Sequence, residues 1–301
     1  MATVLELTRT NKCAGEIGLE IEVEGTNLPR ALSNLWRVDK DGSLRGESFE
    51  YVLAKPLSVN MVQKALNHLE EAYKHCGSVV NNSVRAGIHV HINVQEMTLM
   101  QLWTFITLYY TLEGMLVKWC GKEREGNFFC LRCQDAEAVL FYLSRAIKTG
   151  KLNAIATDEI RYASLNLNAV VKYGSVEFRS MRSTTDFKSV MDWVCVLKRI
   201  KDQSLKFNTP LEVVDACLSD MEKFPKKILG NLYNTFKNEE EQKLLNSGVR
   251  YANDVAHMAD WKKYGEKKEV KQEEVPLRAL EREQHIREMM AAVEAERQQE
   301  I

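Results

Sequence analysis

Residues 16–24, EIGLEIEVE, alternate strictly between apolar and polar side chains, and this alternation constrains the fold more than any other segment. A two-residue period is typical of a β-strand with one buried face and one polar face. Glu20, Glu22 and Glu24 then share the polar face, about 7 Å apart along the strand. Such a row of carboxylates is costly unless water or a cation neutralises it. The row therefore indicates either a solvated strand face or a cation site.

Two further alternating segments carry side chains suited to metal and phosphate chemistry. Residues 87–94 form a predicted strand in which His89 and His91 share a face, and imidazoles spaced in this way are common metal ligands. Residues 174–179 form another predicted strand, with Glu177 and Arg179 on one face. A carboxylate beside a guanidinium suits a metal ion next to an anionic group such as phosphate, or simply a cross-strand salt bridge.

The segment between the first and second of these strands adds more carboxylates. Asp41 begins an Asp-Gly-Ser turn signature and Asp39 lies two residues before it, and each alone is most often a turn residue. Glu50 lies inside a predicted strand over residues 48–54, on the face opposite to Phe49 and Tyr51. A set rich in carboxylates favours Mg²⁺ or Mn²⁺ over Zn²⁺, and neighbouring arginines suggest nucleotide phosphates. The sequence contains neither a Walker A motif nor GxGxxG, so neither a P-loop nor a Rossmann fold is supported.

The distribution of periodicities predicts an α+β fold with a mostly antiparallel sheet. Strands are concentrated in the first 180 residues, and one more is predicted over 162–169. Helices are predicted at residues 59–76, 98–119, 136–148, 186–206, 210–222, 225–236 and 238–262. We predict a main α+β domain over 1–206, which the family resemblance described below implies to be catalytic, a helical extension packed on it over 207–261, and a charged linker with a C-terminal helix over 262–301.

Composition excludes several classes of function. The 41 Lys and Arg residues balance 42 Asp and Glu residues, which argues against bulk nucleic-acid binding. Residues 102–120 are apolar, but Glu113 and three threonines favour a buried core helix over a membrane span. The seven cysteines include one CxxC pair, Cys130 and Cys133, without a second pair at zinc-ligand spacing. We therefore expect reduced thiols, no membrane association and a cytoplasmic protein.

The last forty residues differ from the rest of the chain. Residues 262–271 form a run of charges, Pro276 interrupts the chain, and residues 277–298 have the pattern of a helix. A narrow apolar stripe on that helix consists of Leu277, Leu280, Met290 and Val293. The segment is either a solvated, partly disordered tail or a helix that docks on a protein partner or a second copy of the chain.

Seven segments in a fixed order resemble the amidoligases, small carboxylate–amine ligases of bacteria and phages that are related to glutamine synthetase and glutamate–cysteine ligase. The segments are GLEIEVEG, WRVDKDGSL, FEYVLAKPL, GIHVHI, KEREGNFFC, RYASLNLN and SVEFRSMRSTTD. The resemblance covers roughly residues 15–200. It implies a glutamine-synthetase-like fold, in which a curved antiparallel sheet flanked by helices forms a funnel for ATP and Mg²⁺. A phage-encoded member would act in the cytoplasm of its bacterial host.

The resemblance also implies roles for individual residues. Metal ligands by similarity are Glu20, Glu22, Asp41, Glu50, His89 and Glu177, with the Asp41 match the loosest. Nucleotide, phosphate or substrate contacts are implied for His89, His91, Arg124, Arg161, Asn166 and Arg182. The central catalytic group would be Glu20, Glu22, Glu177 and Arg179, with Arg179 stabilising the transferring phosphoryl group.

The implied activity is ATP-dependent formation of an amide or peptide bond through an acyl-phosphate. The carboxylate and amine substrates, small molecules or peptides, are not identified by the sequence. A ligase fold that has lost catalysis and serves as a structural or interaction protein is the main alternative. A cupin-like site or a metal-dependent hydrolase is less well supported, because the glycines expected around His89, His91 and Glu96 are replaced by Ser83 and Trp103 and a second His motif is missing.

Overall fold

A computed structural model describes residues 1–265 of the chain. The strands are β1 (Ile17–Thr26), β2 (Trp36–Asp39), β3 (Ser48–Leu53), β4 (Val79–Val80), β5 (Gly87–Asn93), β6 (Leu165–Asn166) and β7 (Ser175–Arg182). The helices are α1 (Val4–Thr8), α2 (Val59–Cys76), α3 (Leu99–Cys120), α4 (Glu137–Thr149), α5 (Asn168–Tyr173), α6 (Phe187–Ser204), α7 (Pro210–Ser219), α8 (Phe224–Leu229), α9 (Tyr233–Phe236) and α10 (Glu241–Ala256). This mixture confirms the predicted α+β class.

The strands form an open sheet in the order β2-β3-β1-β5-β7-β6, with β4 beside the end of β1. All pairs of these named strands are antiparallel. The apolar face of β1 predicted from its alternation is buried, since Ile17, Leu19, Ile21 and Val23 are all at most 1% exposed. The opposite face of the sheet therefore holds the polar side chains of the same strands.

Helices cover the apolar face. The long helix α3 begins at a Thr98 capping box closed by Gln101, and it is buried on nearly all sides. It contacts β7 and α6, while α2 also packs on α6. The predicted buried core helix over residues 102–120 is thereby confirmed, and no helix within residues 1–265 is both long and apolar enough to cross a membrane.

Helices α7 and α10 pack directly on α3. Helix α10 lies against α3 so closely that a Cβ on Gly248 would be 2.4 Å from the carbonyl oxygen of Thr111. Met1–Tyr264 form one compact unit. The predicted C-terminal helix over 277–298 and its apolar stripe lie outside the described residues.

The sequence prediction was wrong for residues 162–169. Only Leu165–Asn166 form a strand there, and α5 follows immediately. The reason is a side-chain turn, because Asn166 Oδ1 accepts a hydrogen bond from the Asn168 backbone N–H at 3.0 Å. Helix α5 then ends at Gly174, whose φ of +71° suits a residue without a Cβ and returns the chain to the sheet as β7.

Candidate active site

Cross-strand register gathers the polar side chains of separate strands into rows. Glu22 on β1 lies opposite Glu50 on β3, and Glu50 lies opposite Asp39 on β2. Asp39 is thus a strand residue, whereas its sequence context is that of a turn. Directly paired residues project to the same face of a sheet, so this row collects carboxylates that are far apart in sequence.

A second row joins the other half of the sheet. His91 on β5 pairs with Gly18 on β1 and with Glu177 on β7, and Glu177 pairs with Asn166 on β6. Glycine suits position 18 because there is little space for a side chain, and a Cβ here would be 3.1 Å from the His91 Cβ. Between the two rows, Glu20 on β1 pairs with His89 on β5.

Side chains from these rows line a cavity of about 520 Å³. The sequence-predicted residues that line it are Glu20, Glu22, Asp41, His89, His91, Arg124, Arg161, Asn166, Glu177 and Arg179. Glu50 lies next to the lining, with a carboxylate oxygen in the same group of potential ligand atoms as Glu20 and His89. The structure therefore brings together eleven of the twelve residues assigned from the sequence, this list plus Glu50.

His89 is at the centre of the carboxylates and is 3% exposed. Its Nδ1 is 3.2 Å from a Glu20 oxygen and 3.6 Å from a Glu177 oxygen, and its Nε2 is 3.6 Å from a Glu22 oxygen. The imidazole thus contacts three glutamates from strands β1 and β7. Because Glu22 also accepts the Gly87 N–H at 2.8 Å, its carboxylate is held against the start of β5.

His91 has a different set of neighbours. Its Nδ1 is within hydrogen-bond distance of Ser175 Oγ at 3.0 Å, and its Nε2 is 3.3 Å from a Glu20 oxygen. Burial lowers the pKa of His91, but the carboxylates of Glu20 and Glu177 more than offset this and leave it raised. His91 therefore has a greater tendency to carry a proton than an isolated imidazole.

Within residues 1–265, two groups of side chains have the composition of a cation site. Glu20, His91 and Glu177 form one group, and Glu20, Glu50 and His89 form the other, with potential ligand atoms in each within 4.8 Å of one another. Glu20 belongs to both groups, so one carboxylate can bridge two neighbouring positions. The donors are mostly carboxylate oxygens, which fit Mg²⁺ or Mn²⁺. Cys130 and Cys133 are buried free thiols and belong to neither group.

The carboxylates of Glu50 and Glu20 differ in their tendency to ionise. Burial, followed by the charges of Glu20, Glu22 and Asp41, raises the pKa of Glu50 to about 8. Burial also raises the pKa of Glu20, but hydrogen bonds from His89 and His91 lower it below its ordinary value. Glu50 thus holds its proton more tightly than Glu20 does, and a divalent cation would favour the ionised form of both.

Arg179 provides a positive charge at the edge of the carboxylate group. Its guanidinium donates a hydrogen bond to Glu177 and lies 3.5 Å from His89 Nδ1, while its Nε donates to the Phe129 carbonyl at 3.5 Å. Burial opposes the charge of Arg179, but Glu177 and Glu22 more than offset it, so the pKa of the guanidinium lies above its ordinary value. The side chain is 16% exposed and faces the cavity, where it can meet an anion.

Arg124 is the most deeply buried of the cavity arginines, at 1% exposure. Each of its guanidinium nitrogens donates to a backbone carbonyl, with the shortest bond 2.7 Å long, to Arg179. These bonds tie the start of β5 to the middle of β7. Arg124 thus positions the strands that carry His89 and Arg179, and it adds a positive charge behind the cavity wall.

Arg182, for which the sequence also predicted a binding role, is not among the residues that line the cavity. The Arg182 guanidinium instead donates to the carbonyls of Trp119, at 3.4 Å, and Cys120, at 2.9 Å. These carbonyls are at the C-terminal end of α3, where backbone oxygens lack partners within the helix. The contacts of Arg182 are those of a helix cap, with its charge favourably placed at the negative end of the helix dipole.

Several lining residues were missed in the sequence because they lie on loops, on short 3-10 helices or on the unpredicted helix α5. They are Gly42, Ser43, Arg85, Phe129, Asp158, Tyr162, Asn168, Ala169, Lys172 and Tyr173. Weak signals existed for two of them, since Arg85 lies two residues before GIHVHI and Phe129 lies in KEREGNFFC. Periodicity does not report which loop residues face a cavity, because loops lack a fixed repeat.

A second cavity of about 390 Å³ adjoins the first. The two share Glu20, His91, Lys172 and Tyr173, so these four residues separate one space from the other. Tyr173 is 61% exposed and packs edge-on to the His91 ring, with centroids 5.9 Å apart. The arrangement provides two spaces on either side of one carboxylate–imidazole pair.

The family model described as "Putative amidoligase enzyme" matches residues 51–200. The matched region contains β5, β7 and the residues His89, His91, Glu177 and Arg179, whereas β1 and its glutamates precede it. A search of curated proteins found no match to the sequence.

Proposed function

Because this chain belongs to the amidoligase family, we propose that it is an ATP-dependent carboxylate–amine ligase. The observation that carries the proposal is the meeting of Glu20, Glu22, Glu177 and His89 with Arg179 in one cavity. Carboxylates suited to a divalent cation beside a guanidinium suited to phosphate are the parts required for phosphoryl transfer from ATP. The open antiparallel sheet, with its polar face lining the cavity, supports a glutamine-synthetase-like fold.

The cation would be held by Glu20, Glu22, Glu50, Glu177 and His89, with Asp41 at the margin of the group. Bound there, Mg²⁺ or Mn²⁺ would neutralise the charge of the nucleotide phosphates. The raised pKa of Glu50 supports this assignment, because burial and neighbouring carboxylates disfavour its charge as long as no cation balances them.

The proposed reaction has two chemical steps. An oxygen of the substrate carboxylate attacks the γ-phosphorus of ATP, the bond to ADP breaks, and an acyl-phosphate forms. The amine nitrogen then attacks the activated carbonyl carbon, phosphate leaves, and the amine proton passes to a base. Arg179 is placed to stabilise the negative charge on the transferring phosphoryl oxygens, and its hydrogen bond to Glu177 fixes the guanidinium.

The two adjoining cavities support separate positions for the nucleotide and for the carboxylate and amine. The cavity with more charged side chains contains Arg179, and the other is reached past Glu20 and His91. A reacting carboxylate near Glu20 would then be accessible from both sides. The substrates themselves can be found with an ADP-release screen of carboxylate and amine mixtures, followed by mass spectrometry for a product lighter by one water.

The proposal is tested by calorimetric titration with Mg·ATP and by ADP release in the same screen. Wild-type protein should bind Mg·ATP and release ADP only with a divalent cation, and Glu177→Gln should abolish release without unfolding the protein. Glu24→Gln is the matched control. Glu24 lies on the same polar face of β1 as Glu20 and Glu22, but it accepts the Arg45 N–H and does not line the cavity. Wild-type protein that binds no Mg·ATP would overturn the proposal and favour a non-enzymatic role.

A further inference from the structure

Three aromatic side chains meet at the edge of the first cavity, and we name Phe128, Phe129 and Tyr162 the aromatic rim. Their ring centroids are 5.1 Å apart for Phe128 and Tyr162, 5.7 Å for Phe128 and Phe129, and 5.8 Å for Phe129 and Tyr162. Phe129 and Tyr162 line the cavity, whereas Phe128 is 63% exposed. The rim is thus a partly exposed apolar surface at the entrance of a highly charged space.

Folding does not account for the exposure of these rings. The two segments that carry them are already joined by backbone hydrogen bonds, from the Leu131 N–H to the Tyr162 carbonyl at 2.8 Å and from the Ser164 N–H to the Leu131 carbonyl at 2.6 Å. Smaller side chains would leave these bonds in place. Clustered exposed aromatic rings beside a cavity are typical of ligand binding.

Two guanidinium groups flank the rim. Arg85 lies over the Phe129 ring, 5.5 Å from its centroid, and Arg161 lies over the Tyr162 ring at 4.6 Å. Aromatic rings and guanidinium planes are the two kinds of side-chain surface on which nucleobases stack. A flat heteroaromatic ring therefore fits this rim better than an aliphatic ligand does.

The rim is continuous with the proposed phosphate site. The carbonyl oxygen of Phe129 accepts the hydrogen bond from Arg179 Nε, and the same guanidinium contacts Glu177. A ligand that places phosphates at Arg179 can therefore extend along the cavity toward the ring of Phe129. We infer that the aromatic rim binds the purine base of the nucleotide by stacking. This inference rests on the proposed function.

The inference is tested by comparing two ligands that share the phosphates and differ in the base. Calorimetric titrations with Mg·ATP and with Mg·tripolyphosphate are performed on wild-type protein, Phe129→Ala and Tyr162→Ala. We expect each substitution to weaken Mg·ATP binding about tenfold, as removal of one stacking partner does, and to leave tripolyphosphate binding unchanged. Tyr162→Phe retains the ring and should retain the affinity for ATP.

Phe141→Ala is the control, because Phe141 is an exposed phenylalanine, at 64%, on α4 outside the cavity lining. It should bind both ligands like wild type. Equal losses for both ligands, or unchanged ATP binding in Phe129→Ala and Tyr162→Ala, would overturn the inference while leaving the proposed function intact. Wild-type protein that binds neither ligand would overturn both.

Discussion

Glu22 and Glu50 lie directly opposite each other on the antiparallel strands β1 and β3, so two acidic side chains share one cross-strand pair. Like charges in such a pair are destabilising unless one is protonated or a cation lies between them. At Glu50, burial and the neighbouring charges of Glu20, Glu22 and Asp41 raise the pKa to about 8. Protonation of Glu50 thus relieves the repulsion in this pair. The sheet thus places mutually repelling carboxylates at the proposed cation site.

Replacing Glu50 should change how stability depends on pH. Because the folded-state pKa of about 8 is above the ordinary value of 4.5, the folded protein binds this proton more tightly than the unfolded chain does. Without divalent cations, the contribution of Glu50 to the free energy of unfolding therefore falls as pH rises from about 4.5 to about 8. Thermal melts of Glu50→Gln in EDTA should show a shallower decline than wild type.

The same substitution should reduce stabilisation by Mg²⁺. Wild-type protein at about 100 times its Kd for the cation should gain about 2.7 kcal/mol, and Glu50→Gln should gain less because a ligand oxygen has lost its charge. Glu24→Gln is the control for both measurements. Identical pH slopes and identical Mg²⁺ responses in wild type and Glu50→Gln would contradict the proposed cation site.

Arg179→Lys should lower the rate of ADP release much more than it lowers nucleotide affinity. Lysine keeps the positive charge but loses the planar guanidinium that contacts Glu177 and the Phe129 carbonyl together. We expect kcat to fall by about 10²–10³-fold, as when one preorganised donor to a transition state is removed. Steady-state kinetics combined with calorimetry separate the two effects, and a change in Kd alone would argue against this role.

Arg182→Met should affect stability and leave the active site unchanged. The guanidinium donates to the carbonyls of Trp119 and Cys120 at the end of α3, and methionine supplies no donor. We expect the free energy of unfolding to decrease by about 2 kcal/mol, since charged hydrogen bonds to helix-end carbonyls are lost. Urea denaturation measures this effect, while Mg·ATP binding should equal that of wild type. A selective loss of nucleotide binding would instead support the binding role predicted from the sequence.

Glu113→Gln should remove a separate pH dependence from the core. Glu113 accepts hydrogen bonds from the Cys133 N–H, at 2.9 Å, and from the Ser164 hydroxyl. Burial raises its pKa to about 7 despite these bonds, so its contribution to stability is present at low pH and declines as pH rises from 4.5 to about 7. The decline should approach about 3 kcal/mol, since each pKa unit corresponds to about 1.4 kcal/mol.

The difference in unfolding free energy between wild type and Glu113→Gln isolates this group from Glu50. That difference should shift in favour of the variant as pH rises and level off above pH 7. Glu240→Gln, at an exposed ion pair with Lys118, should show no comparable shift. A pH-independent difference for Glu113→Gln would mean that the carboxyl of Glu113 does not hold its proton in the folded protein.

The sequence by itself predicted the strands that carry chemistry. Alternation in β1 and β5 predicts which side chains share a face, because successive side chains of a strand point to opposite faces of the sheet. Glu20, Glu22, His89 and His91 could therefore be placed on polar faces without knowledge of the fold. The long helices α2 and α3 were predicted equally well, α2 from apolar positions that repeat over several turns and α3 from the length of its apolar run.

Tertiary structure decided which of these faces meet and where the loops lie. The sheet order places β7 beside β5, so Glu177 reaches His91 from 86 residues further along the chain. Arg182 follows Arg179 by three residues, but its guanidinium donates to a carbonyl at the end of α3. Strand β6 is only two residues long, because the Asn166 side chain accepts the Asn168 N–H and forms a turn. Periodicity predicts which face of a strand or helix is buried, but not which other segment packs against that face. Contacts between distant segments depend on the packing of the whole chain.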